Sequence, residues 1–213
     1  MNHNEELKQK YEKRKDEIKQ RLQEFLEVKN ESDERIFSEL AFCLCTPQSK
    51  ATNAWKAIEA LSKNNLLYTG SAEQLKPFMN TVRFNENKSK YIELARKIFT
   101  NSDRLEIKKF FQQLGSTFEM REWLVENVYG MGMKEASHFL RNTGLAFDLA
   151  ILDVHILKNL QKYGVNEEIP KTLSKKIYIE IENKMKKFSE QIDIPFPELD
   201  LLFWAEETGF IFK

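Results

Sequence analysis

Apolar residues recur at helical spacing along nearly the whole chain, and nowhere is there sustained alternation of period two. This restricts the 213 residues to an all-α fold. The periodicity predicts helices over about 4–28, 33–45, 48–63, 87–100, 103–113, 116–128, 133–143, 153–163, 174–190 and 197–208. Ser116 with Glu119 three residues on reads as a capping box, and Gly144, Gly164 and Gly209 stand where helices end. Pro47, Pro77, Pro170, Pro195 and Pro197 fall between these segments or at their starts, where a missing N–H is tolerated. In the first segment Leu7, Tyr11, Ile18, Leu22, Phe25 and Leu26 form an apolar stripe on a densely charged helix whose other face is expected to be solvated. Neither an internal repeat nor a low-complexity linker interrupts the pattern, so residues 1–213 are expected to form a single domain.

Charge narrows the functional classes. The 33 basic and 33 acidic residues cancel, so no global field draws the protein to nucleic acid, and any affinity for DNA has to be local. Cys43 and Cys45 lie two apart in the apolar run "ELAFCLCTPQS" with no second pair to complete a zinc or iron–sulfur site, and read as buried thiols in a reducing compartment. The N-terminus lacks an apolar signal core, and no later apolar run approaches membrane-spanning length. The expectation is a soluble cytoplasmic protein with no membrane partner.

Against this background the stretch "VYGMGMKEA", residues 128–136, stands out. The chain has seven glycines; most of the others look like helix ends, whereas Gly130 and Gly132 sit together between two helices, where they permit positive φ and close backbone approach. The pair suits a plain αα-turn. It also suits a helix–hairpin–helix, whose backbone amides and second helix N-terminus would face a DNA phosphate and bind it with dipoles in place of net charge. Nineteen residues after Lys134 comes Asp153, just ahead of an apolar-periodic run, so it reads as an N-cap. A capping aspartate is also held rigid and ionised, which makes it useful for chemistry.

The hairpin "GMGMK", the following "EASHFLRNTG" and then "LAILDVHIL" resemble the helix–hairpin–helix DNA glycosylase superfamily with its Gly/Pro-Asp element. Within it the chain is most similar to the archaeal-type, class two 8-oxoguanine DNA glycosylase/lyases. The match is strongest over about 116–165 and extends more loosely to "ELAFCLCTPQSKA", "VRFNENKSKYI" and "LDLLFWAEETGFIFK". The four clustered cysteines of endonuclease III, a sister family, are absent. The resemblance implies a glycosylase fold of two closely packed helical lobes with the active-site cleft between them. It makes Lys134 the nucleophile and Asp153 the catalytic carboxylate. It assigns Phe84, Trp204 and Lys213 to the pocket for a flipped base, and Gln48 to the vacated duplex and the opposite base. It lays the hairpin residues Gly130, Met131, Gly132 and Met133 against DNA. The implied partner is double-stranded DNA containing 8-oxoguanine or abasic sites, bound by a monomer in the prokaryotic cytoplasm at the nucleoid. No metal or redox cofactor is implied, although hairpin carbonyls such as those of Val128 and Met131 suit a monovalent cation by family analogy.

A base inside a duplex is inaccessible, so such an enzyme extrudes the nucleotide and offsets unstacking by stacking the base on Phe84 or Trp204, worth roughly 1–3 kcal/mol. Asp153 would stabilise positive character on the sugar as the base departs. Lys134 must be neutral to attack, which calls for partial burial against Met131 and Met133 with Asp153 as proton acceptor. The C-terminal Lys213 offers both a carboxylate and an ammonium to the altered imidazole edge of 8-oxoguanine. Phe210, Ile211 and Phe212 are expected to anchor it by burial.

Overall fold

The computed structural model describes residues 3–213. Its helices are α1 (His3–Val28), α2 (Asp33–Cys45), α3 (Ala51–Lys63), α4 (Leu66–Thr69), α5 (Ala72–Leu75), α6 (Asn85–Phe99), α7 (Ile107–Gln112), α8 (Thr117–Asn127), α9 (Met133–Asn142), α10 (Val154–Lys162), α11 (Lys175–Gln191) and α12 (Phe196–Thr208). The expected caps are present. Ser116 Oγ accepts the amide of Glu119 at 3.2 Å while the Glu119 carboxylate accepts the Ser116 amide at 2.7 Å, and Gly209 ends α12 at φ 85°.

Two stretches depart from the helical pattern. Ahead of α7 the chain makes a small antiparallel hairpin, β1 (Thr100–Asn101) with β2 (Arg104–Leu105), turning through Ser102 and Asp103 at φ 47° and 64°. Strands of two residues are too short to show a period, and short polar side chains tolerate the left-handed region. Between α3 and α6, α4, α5 and a 3-10 turn over Lys76–Met79 form because Leu67, Leu75 and Met79 are buried against the neighbouring helices.

The core is divided. One cluster is built from residues between Val28 and Leu149, with Phe37, Phe42, Ile58 and Phe139 fully enclosed. The second joins Leu7, Tyr11, Ile18 and Phe25 of α1 to residues 150–211. The first helix therefore packs with the last third of the chain, against α12. Of its apolar stripe, Leu22 is partly buried and Leu26 is 42% exposed, so the stripe is narrower than its sequence suggests. Cys43 and Cys45 are buried free thiols in α2, and burial pushes the Cys45 thiol up to about 12.

The chain passes from one cluster to the other through the irregular segment before α10, which α11 pins in place. Glu182, fully buried, accepts the Ala150 amide at 2.7 Å and takes both terminal nitrogens of Arg121 at 2.7 and 3.1 Å. Tyr178 Oη donates to the Ala150 carbonyl at 2.7 Å and accepts the Leu152 amide at 3.1 Å. A backbone held this way delivers Asp153 at a fixed position, and removing one member of the buried ion pair would cost about 3–5 kcal/mol.

Candidate active site

A cavity of about 550 Å³ opens between the two clusters, and both contribute to its walls. Gln48, Lys134, Asp153, Trp204 and Lys213 line it together, although the sequence spreads them over 166 positions, from 48 to 213 counted inclusively. Phe84 and the hairpin residues 130–133 lie outside this lining.

Lys134 stands in the first turn of α9 with its side chain 23% exposed. Its ammonium lies 3.0 Å from Glu135 Oε1 and 3.5 Å from Thr46 Oγ1, where Asp153 had been the expected partner. Met131 is buried in the first cluster and Met133 packs on the second, which leaves Lys134 between the two. Asp153 is the N-cap of α10, accepting the amides of His155 and Ile156 at 2.8 and 2.9 Å. Both bonds fall on Oδ1, so Oδ2 stands outside the cap. The cap thus uses one carboxylate oxygen and leaves the other available.

Trp204 is half-buried, with the exposed Phe210 ring edge-on at 5.5 Å. Of the three residues expected to anchor the tail, only Ile211 is buried. Phe212 is half-buried against Phe42, and Phe210 covers Trp204 in place of entering the core. Lys213 pairs with Glu39, and its ammonium lies 3.5 Å from the centre of the Trp55 ring. Burial draws the Lys213 pKa below the ordinary lysine range, and Glu39 opposes the shift. Gln48 and Phe84 are both exposed and both adopt positive φ, 55° and 58°; the Phe84 ring lies 5.1 Å below the Arg83 guanidinium. Phe84 therefore stands at the surface, 51% exposed, with its face already occupied by a cation.

In the hairpin the two glycines do different work. Gly130 has φ 85°, and a Cβ there would meet the Tyr91 ring at 2.3 Å. Gly132 is extended, with φ −96°, and a Cβ would meet only the flexible Glu135 carboxylate at 3.0 Å. Met131 is buried, so only its backbone is available at the hairpin surface, while Tyr129 is 68% exposed beside Tyr91.

The sequence reading missed His138, Arg141 and Asp200 in the same cavity wall. His138 is 6% exposed. Burial, then the charges of Arg141 and Lys134, holds it well below the usual imidazole range. Asp200, 4% exposed, pairs with Arg141 at 2.8 Å through Oδ2. Burial raises its pKa to about 6. A signal was available: Glu39 in "SELAF" and Asp200 in "ELDLLF" put carboxylates on strongly apolar helices.

Among the described residues no cluster of three His, Cys, Asp or Glu could hold a metal ion, and no helix is long and apolar enough to cross a membrane. The 8-oxoguanine DNA glycosylase family model of the helix–hairpin–helix type matches residues 18–194. The chain is 48% identical over 209 residues to the 8-oxoguanine DNA glycosylase/AP lyase of Fusobacterium nucleatum, covering 98% of this chain and 96% of the relative. The crystal structure of Methanocaldococcus jannaschii 8-oxoguanine DNA glycosylase superposes with a TM-score of 0.87 at 36% identity, covering 99% of this chain and 97% of that one. The same archaeal enzyme in complex with DNA containing 8-oxoguanine gives 0.86 at 36% identity, over 96% of this chain and 98% of that one. Matched in sequence along nearly its full length and in the arrangement of its helices, the chain belongs to the helix–hairpin–helix 8-oxoguanine DNA glycosylase family.

Proposed function

We propose that this protein is a bifunctional glycosylase and abasic-site lyase. It excises 8-oxoguanine from double-stranded DNA and then cuts the strand, with Lys134 as nucleophile and Asp153 as the electrostatic and proton-transfer partner. The observation that carries the reading is the convergence of Lys134, Asp153, Trp204 and Lys213 on one cavity of about 550 Å³, a size suited to a flipped base.

The extruded base stacks on Trp204, and Lys213 meets its edge. As the bond from the base to the sugar C1′ lengthens, positive character on the sugar is opposed by the Asp153 carboxylate, pre-aligned by its two cap bonds. The Lys134 amine forms a bond to C1′, the base leaves with the bonding electron pair and a proton, and ring opening gives an iminium. Loss of a proton from C2′ then expels the 3′ phosphate oxygen, and water releases the sugar from lysine. An abasic site enters the same sequence after base loss. Phe84, from the rim, contacts the displaced nucleotide once Arg83 turns to a phosphate. Gln48 reaches toward the opposite base. The amides after Gly130 and at the start of α9 hold a phosphate, which requires no net charge. The protein acts as a monomer and as one domain, at the nucleoid of a prokaryotic cell.

Borohydride reduction tests the reading. Wild-type protein should be trapped covalently on a duplex carrying 8-oxoguanine, whereas Lys134→Gln should bind that duplex and give no trapped complex. Undiminished trapping by the variant would remove Lys134 from the nucleophile role.

A further inference from the structure

A line of buried polar side chains runs behind the cavity from one wall to another. Glu39 on α2, 1% exposed, holds the Lys213 ammonium on Oε1, pairs through the same oxygen with Arg35 at 2.7 Å, and accepts the Asn142 amide on Oε2 at 3.1 Å. Asn142 accepts Arg141 at 3.0 Å, and Arg141 reaches Asp200 at 2.8 Å. Only the two ends of this line, Lys213 and Asp200, together with Arg141, belong to the cavity lining; Glu39 and Asn142 lie behind it. The Lys213 ammonium is closed in from another direction by the Trp55 ring, 3.5 Å from its centroid.

A buried carboxylate with this many donors is more than a helix needs. A lysine near a chain end samples many rotamers, and ordering it only when a base arrives opposes binding. Glu39 orders it in advance, on a rigid helix of the first cluster, while the tail just ahead of it is shared, Ile211 buried in the second cluster and Phe212 packed on the first. With its ammonium occupied by Glu39 and Trp55, Lys213 is held in the wall of the cavity and does not swing across it.

We propose that Glu39 is a positioning residue for lesion recognition, acting through its grip on the Lys213 ammonium. This rests on the reading of Lys213 as a base-pocket residue. An abasic site has no base to recognise, so the two activities of the same protein separate the role: excision of 8-oxoguanine needs the grip and abasic-site cleavage does not.

The test measures single-turnover excision on an 8-oxoguanine duplex and cleavage of an abasic duplex by full-length wild type, Glu39→Gln, a chain lacking Lys213, and the combination, with thermal unfolding of each. Glu39→Gln should slow excision at least about tenfold, the scale of a lost charged hydrogen bond, and leave abasic cleavage within about twofold. Adding it to the Lys213 deletion should lower excision no further. Should Glu39→Gln unfold, Trp55→Leu leaves the carboxylate in place and should reduce excision selectively, though less. If losing Lys213 selectively lowers excision while the Glu39 and Trp55 variants excise normally, or if the Glu39 and Lys213 effects add, Glu39 does not act through Lys213 and the inference is overturned. Equal loss of both activities in Glu39→Gln would make it a fold residue only. Normal excision without Lys213 would remove the reading of Lys213 itself, and the inference with it.

Discussion

The hydroxyl of Ser49 accepts the backbone amide of Arg83 at 2.9 Å, and so ties the loop carrying Gln48 to the loop carrying Phe84. Lys88 fastens the same junction from inside, donating to the carbonyls of Cys45 and Pro47 at 2.8 and 2.6 Å and to Ser49 at 3.2 Å. Both loops hold a non-glycine residue at positive φ, a conformation that persists only where surrounding structure enforces it. Lys88→Met should leave buried carbonyls unpaired, cost about 2 kcal/mol of stability, and raise amide exchange over residues 46–50 and 82–85. Unchanged exchange there would mean that the loops hold themselves.

Asp153→Asn keeps an N-cap of comparable quality, so unfolding should shift little. Base excision should fall at least about a hundredfold, because the charge opposing the developing positive sugar is gone. A rate near that of wild type would leave Asp153 as a cap only.

The two hairpin glycines predict different outcomes. Gly130→Val meets both a positive φ and the Tyr91 ring, and should weaken binding to undamaged and damaged duplex alike. Gly132→Ala meets only a mobile carboxylate and should bind nearly as wild type does. Fluorescence anisotropy on both duplexes reads the difference, and equal effects of the two substitutions would contradict the assignment.

Asp200 gives a pH signature. Its pKa is raised from 3.8 to about 6, so between these values the folded protein binds a proton that the unfolded chain has released. Stability from this group is therefore present at the acid end and declines as pH rises through that window. Asp200→Asn does not titrate, so the stability of wild type relative to the variant should fall by roughly 2 kcal/mol between pH 4 and 6.5. Parallel pH curves for the two proteins in chemical denaturation would place the Asp200 pKa near its ordinary value.

Helices were legible in the sequence wherever period and punctuation coincided. Ser116 with Glu119 marked the start of α8, Asp153 that of α10, and Gly209 the end of α12. The hairpin at 100–105 and the short turns at 66–79 were not, because elements of two to four residues have no period, and tertiary packing decides them. Among candidate site residues, Lys134 and Asp153 were signalled by the glycine hairpin and the cap, and Trp204 and Lys213 by family resemblance. Arg141 and Asn142 were invisible because each looks like an ordinary helical polar residue until its partner, from 1 to 103 positions away, is known, and Glu39 and Asp200 were signalled only as carboxylates on apolar helices, with nothing to name their partners. Phe84 shows the converse: the resemblance draws it into the pocket, while the structure leaves it exposed and outside the cavity lining.

The packing of α1 against α12 has a consequence for biosynthesis. Leu7, Tyr11, Ile18 and Phe25 leave the ribosome first, yet their partners Leu199, Leu202 and Phe203 emerge some 190 residues later. At about 5–20 residues per second, the first helix waits roughly 10–40 s with its apolar stripe uncovered. The dense charge on its other faces keeps that helix dispersed until the last one arrives to cover it.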